Sequence, residues 1–574
     1  MTNWYSLNKC LFGEREKMRG SFSFCAVMAI VMWISLTASA DNPIIQTNFT
    51  SDPAPMVYNG RVYIYTTHDS DNASGSYVIT SWRCYSSKDM VNWTDHGVML
   101  TPRNVTWSTA HDADAIQVIF RNGKFYFYIN TTASDGVSIG VAVSTSPIGP
   151  FKDTLGMPLI AASKMTGCNA THGWRGLDPT VYIDDDGQAY LYWGNNVLYW
   201  VKLNEDMISY SGSISCMPQN DPAFGPDYEE GPWFYKRNKI YYLVYPSTAS
   251  ESIHYTTSPG PTGPWTYGGL IMPVETGKGS SMTIHPGVCD FGGNSYFFYH
   301  NGALPGGGSY KRSVCLEKFT YNTDGGIPKI SGTTAGVTTG VGNLNPFDTN
   351  EAETICWGSG VKTEVCSEGG MDVDSIHNGD YIKVKAVNFA SGAKSFDARV
   401  ASATSGGSIE IHLDTTTGPL AGTCAVAGTT GWQTWETKQC TISGATGIHD
   451  LFFKFTGGSG LLFNFNWWKF TPAQTEIDLK ETQAFEGANA IHATVEVGKT
   501  RTLRLDFSRR LLHEDLFVGL FDLTGRLVMK LSSGQLSFSR LSLPLDNAEI
   551  RTGAYIVRVA LNGKMALTKT ITIY

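Results

Sequence analysis

Apolar and polar positions alternate with a period of two through most of this chain, in short aromatic segments punctuated by Gly, Asn and Asp. Five such segments recur at intervals of roughly 50 to 65 residues: YNGRVYIY at 58–65, RNGKFYFYI at 121–129, DDGQAYLYW at 185–193, KRNKIYYLVY at 236–245 and GGNSYFFYH at 292–300. A strand-rich repeat of that length predicts the blades of a β-propeller, here five of them. No long segment with helical periodicity lies beyond residue 40, so an all-β protein is expected.

Just before these segments stand Asp52-Pro53, Asp112 with Asp114, Asp178-Pro179, Glu230-Gly231-Pro232 and His285-Pro286. Equivalent positions of successive blades converge on a propeller's axis, so acids far apart in sequence are expected to share one pocket. A lone Asp-Pro is ordinarily a turn, and DDDG at 184–187 reads as a surface hairpin. Recurrence in register with the blades sets Asp52, Asp178 and Glu230 apart. Glycosidic hydrolysis needs a protonated donor and a carboxylate that activates water or attacks directly, and three acids in one funnel can divide those tasks.

Beyond residue 335 the pattern changes. A Gly/Thr-rich stretch, SGTTAGVTTGVGNLNP, covers 331–346, and residues 336–346 read as a linker. Residues 347–472 carry short alternating strands with Gly/Ser/Thr turns, as expected of a β-sandwich. Residues 473–500 are polar and form a second linker. Residues 501–574 predict hairpin strands, as in LFVGLFDLTGRLVMKL and GAYIVRVALNGKMALTKTITIY. At the other end, Lys17 and Arg19 precede an apolar run over 22–36, followed by Ala38-Ser39-Ala40. That order predicts a signal peptide over 1–40, a mature catalytic region over 41–335, and a secreted or cell-surface protein.

Composition narrows the function. Of 574 residues, 61 are Gly, 12% are aromatic and 16% charged, which suits tight β structure and argues against disorder. A net charge of −8 argues against nucleic acid as partner for the whole chain. Neutral sugars remain, since aromatic rings stack on their apolar C–H faces. Two of the 11 Cys, Cys10 and Cys25, precede residue 40, leaving nine. Cys356, Cys366, Cys424 and Cys440 form one group with three possible pairings; Cys84, Cys168, Cys216, Cys289 and Cys315 are odd in number, so at least one is expected free. No spacing suggests a zinc site.

The runs DPAPMVYNGRVYIYTTHD (52–69), LDPTVYIDDDGQAYLYWGN (177–195), YEEGPWFYKRNKIYYLVY (228–245) and HPGV (285–288) resemble glycoside hydrolase family 43 over nearly all of 41–330. The resemblance implies a five-bladed propeller that inverts anomeric configuration. It also implies Asp52 as general base, Glu230 as general acid, and Asp178 as the group that raises the acid's pKa and orients it. Base and acid of an inverting enzyme are expected roughly 6.5–9.5 Å apart. Glu230 rather than Glu229 is the residue before Gly-Pro-Trp. His285 matches a histidine near the axis, a candidate cation ligand, and Arg312 matches a substrate-contacting arginine of the last blade. Trp174 and Trp233 are candidates for stacking on sugar, with core packing the other reading of each. Asp114 stands where many members carry an aromatic. There it is expected to bond a furanose hydroxyl or perturb the catalytic acids.

EAETICWGSGVKTEV (351–365), IHNGDYIKV (376–384), TTGWQTWE (429–436) and GLLFNFNWWKF (460–470) resemble carbohydrate-binding module family 6, a β-sandwich jelly roll with a structural calcium. The match implies Glu351, Glu353 and Asn466 as calcium ligands, and Trp432 with Asn464 as sugar contacts. Ser375 stands where a second cleft aromatic is expected. Trp435 and Trp467 read as core. The pairing of the two domains is similar to the arabinoxylan arabinofuranohydrolases, which implies removal of α-L-arabinofuranosyl side groups from arabinoxylan in the plant cell wall. A β-xylosidase or endo-arabinanase on the same scaffold, or a propeller lectin without catalysis, is the alternative. FDLTGRLV and GAYIVRV resemble C-terminal sorting domains of Gram-negative secretion; an accessory Ig-like domain is the other reading.

Overall fold

The computed structural model describes residues 41–574 except 111, 170–172, 249–250, 275–280, 474–490, 498–500, 508–512, 524, 536, 538–539, 546–549, 551–552 and 574. The expected signal peptide and most of the second linker therefore lie outside the described residues. Among the described residues the only helical turns are three-residue 3₁₀ segments, Pro102–Asn104, Ala162–Lys164 and Pro222–Phe224. Everything else that is regular is antiparallel sheet, as the period-two pattern predicts.

Five sheets follow one another between residues 50 and 319. Their first two strands are Thr50–Tyr58 and Arg61–Asp69, Gln117–Arg121 and Lys124–Ala133, Thr180–Ile183 and Ala189–Trp193, Trp233–Arg237 and Ile240–Ser247, and Gly287–Phe291 and Asn294–Asn301. Each pair is a hairpin. The first turns at Asn59-Gly60, both with positive φ (47° and 71°), the conformation that Asn-Gly adopts at least cost.

The first strands touch in order. Gln117 bonds the backbone of Val181 from its side chain at both Nε2 and Oε1. Thr180 Oγ1 accepts from the Phe234 amide, and the Trp233 indole donates to Val288 O. Gly287 packs so closely on Pro53 and Pro55 that a Cβ there would lie 2.5 Å from Pro53 O. The fifth sheet thus meets the first, which belongs to a propeller-type arrangement.

Hairpin geometry then fixes where chemistry can sit. Thr50 pairs with His68, so the start of each first strand lies beside the end of the second. The residues entering each sheet and the loops leaving its second strand share one end.

Residues 357–472 form two sheets over a common core that includes Phe396, Phe453, Phe465 and Trp468. One sheet has the order Lys362–Val365, Met371–Asp374, Asn464–Pro472, Ala393–Ser402, Gly431–Thr441; the other has Trp357–Ser359, Tyr381–Asn388, Ile448–Gly457, Gly407–Leu413, Leu420–Val426. The core tryptophan is Trp468, fully buried, whereas Trp467 and Trp435 are half-buried. The expectation for those two is corrected. Alternation turns Trp467 to the opposite face from Trp468. The C-terminal residues form two further sheets around Leu503, Leu505, Val518, Leu520, Val557 and Val559. The expected linker is corrected at its end, because Ile491–Val497 is a strand of one of them, paired with Arg501–Phe507.

Residues 336–346 are not a free spacer. The Val341 amide donates to Asp89 O, and Leu344 exchanges bonds with the strand at 386–388. The first sheet itself continues into the second domain, because Thr354–Ile355 pairs with Trp93 and Thr94. Asp41 is clamped there by Lys383 Nζ at 3.0 Å and by Lys385. Cys168 and Cys216 form a disulfide, and none of Cys356, Cys366, Cys424 and Cys440 is disulfide-bonded.

Candidate active site

Asp52 and Asp178 sit at equivalent places, each before Pro and each in the left-handed region (φ 52° and 60°). Asp tolerates that conformation better than most residues. At Asp52 the register slips between Ser51 and Ala54, so the residue occupies a bulge that re-aims its side chain. Both carboxyls are buried, 6% exposed.

Asp52 is held as an anion. Arg312 Nη1 lies 3.2 Å from Oδ1, and Thr67 Oγ1 donates to Oδ2 at 2.6 Å. The Asp52 amide donates to His300 Nδ1, and His300 Nε2 donates in turn to Thr283 O. Burial pushes the carboxyl up, but Arg312 foremost overcomes this and holds it at about 2. Arg312 is itself fixed by Asp69, which takes Nε at 2.9 Å and Nη2 at 2.8 Å. This bidentate grip orients the guanidinium. His285, also buried, stands 3.9 Å from Asp52 Oδ1, and burial lowers its pKa.

Asp178 and Glu230 are held the other way. Asp178 accepts from the Gly231 amide at 2.9 Å, and its own amide donates to Asn130 Oδ1. Glu230 Oε2 accepts from Asn195 Nδ2 at 2.6 Å. Burial, then the Glu230 charge, raises Asp178 well above the usual range. Burial, then Glu229, raises Glu230 to about 7. Together the two acids keep a proton near neutral pH while Asp52 stays ionised.

Asp114 joins the cluster. Asn130 Nδ2 donates to Asp114 Oδ2 at 3.0 Å, so one buried amide links it to Asp178. Burial, then Asp112, Asp52 and Glu230, raises it to about 7. Trp174 lies in the loop before Asp178 and is 48% exposed. Trp233 is corrected: it is buried in the core, with its indole bonded to Val288 O, and offers no face to a sugar.

Several residues of the site were not singled out by the sequence. Thr67, Asp69, Asn130, Asn195, Thr283 and His300 act through the sheet ends that register brings together. Tyr77 covers Arg312, its ring 4.7 Å from the guanidinium, and its hydroxyl lies 3.4 Å from Thr283 Oγ1. A lone aromatic in a loop of small and polar residues, 70–78, is the only signal that could have hinted at it.

In the second domain, Trp432 and Asn464 line a cleft of about 160 Å³ with Glu364, Asp374 and Ser375. Asn464 Nδ2 donates to Glu364 Oε1 at 2.6 Å. Elsewhere Glu353 is buried with Oε2 lacking a hydrogen-bond partner among the described residues, and burial, then Glu351, raises its pKa well above normal. Glu351 is exposed, and the Ala352 amide between the two acids donates to Asn466 O. A buried carboxylate oxygen without a partner, as on Glu353, suits a hard divalent cation.

The pattern described as "Glycosyl hydrolases family 43" matches residues 40–327, and "Carbohydrate binding module (family 6)" matches 351–472. A Bacillus subtilis (strain 168) protein named arabinoxylan arabinofuranohydrolase is 38% identical over 488 residues, 75% of this chain and 92% of its own. A Paenibacillus polymyxa protein of the same name is 35% identical over 75% of this chain and 74% of its own. A solved structure of a family 43 arabinoxylan arabinofuranohydrolase from Bacillus subtilis, in complex with cellotetraose, superposes with a TM-score of 0.67 at 36% identity, covering 75% of this chain and 98% of that one. The three buried acids act electrostatically on one another, and this chain belongs to glycosyl hydrolases family 43 and is a glycoside hydrolase that carries a family 6 carbohydrate-binding module.

Proposed function

We propose that this enzyme removes α-L-arabinofuranosyl side groups from arabinoxylan in a single inverting step. The observation that carries the reading is the split within one pocket: Asp52 held at about 2, Glu230 raised to about 7. Asp52 takes the proton of a water that attacks the anomeric carbon. Glu230 protonates the departing xylose oxygen. Asp178 keeps Glu230 protonated and aims it through Gly231. Asp114 bonds a furanose hydroxyl, Arg312 fixes the base and faces the sugar, and Trp174 provides an exposed ring near the pocket.

The names of the two long relatives support the substrate. The succession of five sheets, with the fifth against the first, supports a closed five-bladed ring, and the paired sheets of 357–472 support a jelly roll. The cleft at Trp432 and Asn464 binds the xylan backbone. Glu351, Glu353 and Asn466 hold a structural calcium, which supplies charge balance for the buried Glu353 and ties the sandwich together. His285 offers one imidazole to a second cation below the pocket. The enzyme is exported by its N-terminal signal and acts outside the cell, with residues 501–574 as sorting or accessory domain.

The test is product identity. Incubation with wheat arabinoxylan, birchwood xylan and debranched arabinan should release arabinose from the first alone. Proton NMR of the first product should show inverted configuration. Xylose, or arabinose oligomers, redirects the reading to a β-xylosidase or endo-arabinanase; binding without product points to a lectin.

A further inference from the structure

The edge strand of the binding domain, Lys362–Val365, meets the loop that follows the second strand of the first sheet. Lys362 pairs with Asp374, which lines the Trp432 cleft. The Lys362 ammonium lies 3.4 Å from Asp71 and 5.9 Å from the Phe49 ring. Asp71 belongs to loop 70–78, which leaves the second strand of the first sheet at the Asp52 end. Tyr77 of that loop meets Tyr310 edge-on at 4.9 Å, and Asp52 and Glu230 are both close enough to perturb its phenol. Lys311 covers the Phe49 ring from the loop that carries Tyr310, at 5.6 Å. Phe49, Tyr77, Tyr310 and Trp432 are all half-exposed.

Cleft lining, strand pairing, an ion pair and a shared loop thus lead from one sugar site to the other: Trp432 and Asp374, Lys362, Asp71 with Phe49, then Tyr77 and Tyr310. We propose that the Trp432 cleft and the pocket mouth are two ends of one track that holds a single xylan chain. Trp432 stacks under one stretch of backbone, and Tyr77 with Tyr310 supports the xylose whose side group enters the pocket. The exposed Lys362–Asp71 pair between them offers donors and acceptors to hydroxyls. Rings of this kind suit a neutral polymer with apolar C–H faces.

The track also gives the cleft a use despite its composition. Trp432 is the one large aromatic platform the cleft offers, and Ser375 lines it where the family resemblance leads one to expect a second, so the cleft is weak alone. Two weak sites on one chain reinforce each other when their geometry is fixed. The geometry is fixed here, because Thr354–Ile355 continues the first sheet and Thr363 bonds Asp95 at 2.7 Å.

This inference rests on xylan being the backbone recognised, and its test is separable from that of the cleavage. With the full chain, kcat/KM is measured on singly substituted arabinoxylo-oligosaccharides of increasing backbone length. It should rise by about tenfold and then level off, through KM, once a chain spans both sites. In Trp432→Ala and Lys362→Met the rise should collapse, and Trp432→Phe should restore it. Thermal melts identify any variant that fails to fold. A flat profile in the wild type, or an undiminished rise in well-folded Trp432→Ala, overturns the track. If no arabinose is released at all, the proposed cleavage fails. Calorimetry with unbranched xylo-oligosaccharides then decides the track alone: affinity must grow with length in the wild type and not in Trp432→Ala.

Discussion

The Gly231 amide donates to Asp178 Oδ2 at 2.9 Å, so a carboxyl of the third sheet grips the backbone directly behind the acid at the entry to the fourth. That contact ties the orientation of Glu230 to Asp178. Asp178→Asn keeps an acceptor for Gly231 and removes the second buried acid. Turnover should fall by roughly 10²–10⁴-fold. The alkaline limb of the kcat/KM profile should move to lower pH, because Glu230 then loses a neighbour that disfavours its ionisation. A limb that stays in place removes Asp178 from the role.

Asp52→Asn and Glu230→Gln should each lower turnover by roughly 10²–10⁴-fold, with opposite effects on stability. Asp52 is depressed in the folded state, so its contribution is present above its unfolded pKa of 3.8 and is lost as pH falls toward about 2. Glu230 is raised from 4.5 to about 7, so its contribution is present below pH 4.5 and is lost as pH rises through 7. At pH 7.5, Glu230→Gln should therefore melt higher than the wild type and Asp52→Asn lower. Calorimetric scans at pH 4 and 7.5 check both signs.

Glu353 gives a cation-dependent prediction. Its folded pKa is raised by burial, so without a cation the domain should lose stability as pH rises above 4.5. Calcium should abolish that slope. Glu353→Gln should melt higher than the wild type in EDTA and gain nothing from added calcium. Melting with and without EDTA decides it.

Asp41 sits against two lysines of the second domain, and Lys383 is 2% exposed. Lys385 foremost lowers its pKa against the opposing effect of burial. Asp41→Asn leaves a buried ammonium short of its counter-charge. The interface should weaken by about 3 kcal/mol, read as faster proteolysis within 336–346 and a lower urea midpoint.

What the sequence disclosed follows from which signals are local. Two-residue turns such as Asn59-Gly60 and the period-two pattern are local, and the five sheets were legible from them. Asp52 and Asp178 were legible because Asp-Pro recurs in register. His300, Thr67 and Asn130 were not, because each lies late in a second strand and reaches the pocket only through antiparallel pairing. Trp467 and Trp468 show the limit of parity: the strand was evident, but which of two adjacent tryptophans faces inward depends on how the strand pairs with Ala393–Ser402. Trp233 read equally well as platform or core until its indole was found on Val288. The strand exchange at Thr354–Ile355 left no mark, since two residues carry no periodicity.

That two-residue pairing has a practical side. Ending the chain at 346 to obtain a lone hydrolase would strip the cover from Trp93 and Thr94 and leave their outward amides and carbonyls open to other molecules. Such a truncation is a candidate for self-association rather than a clean minimal enzyme.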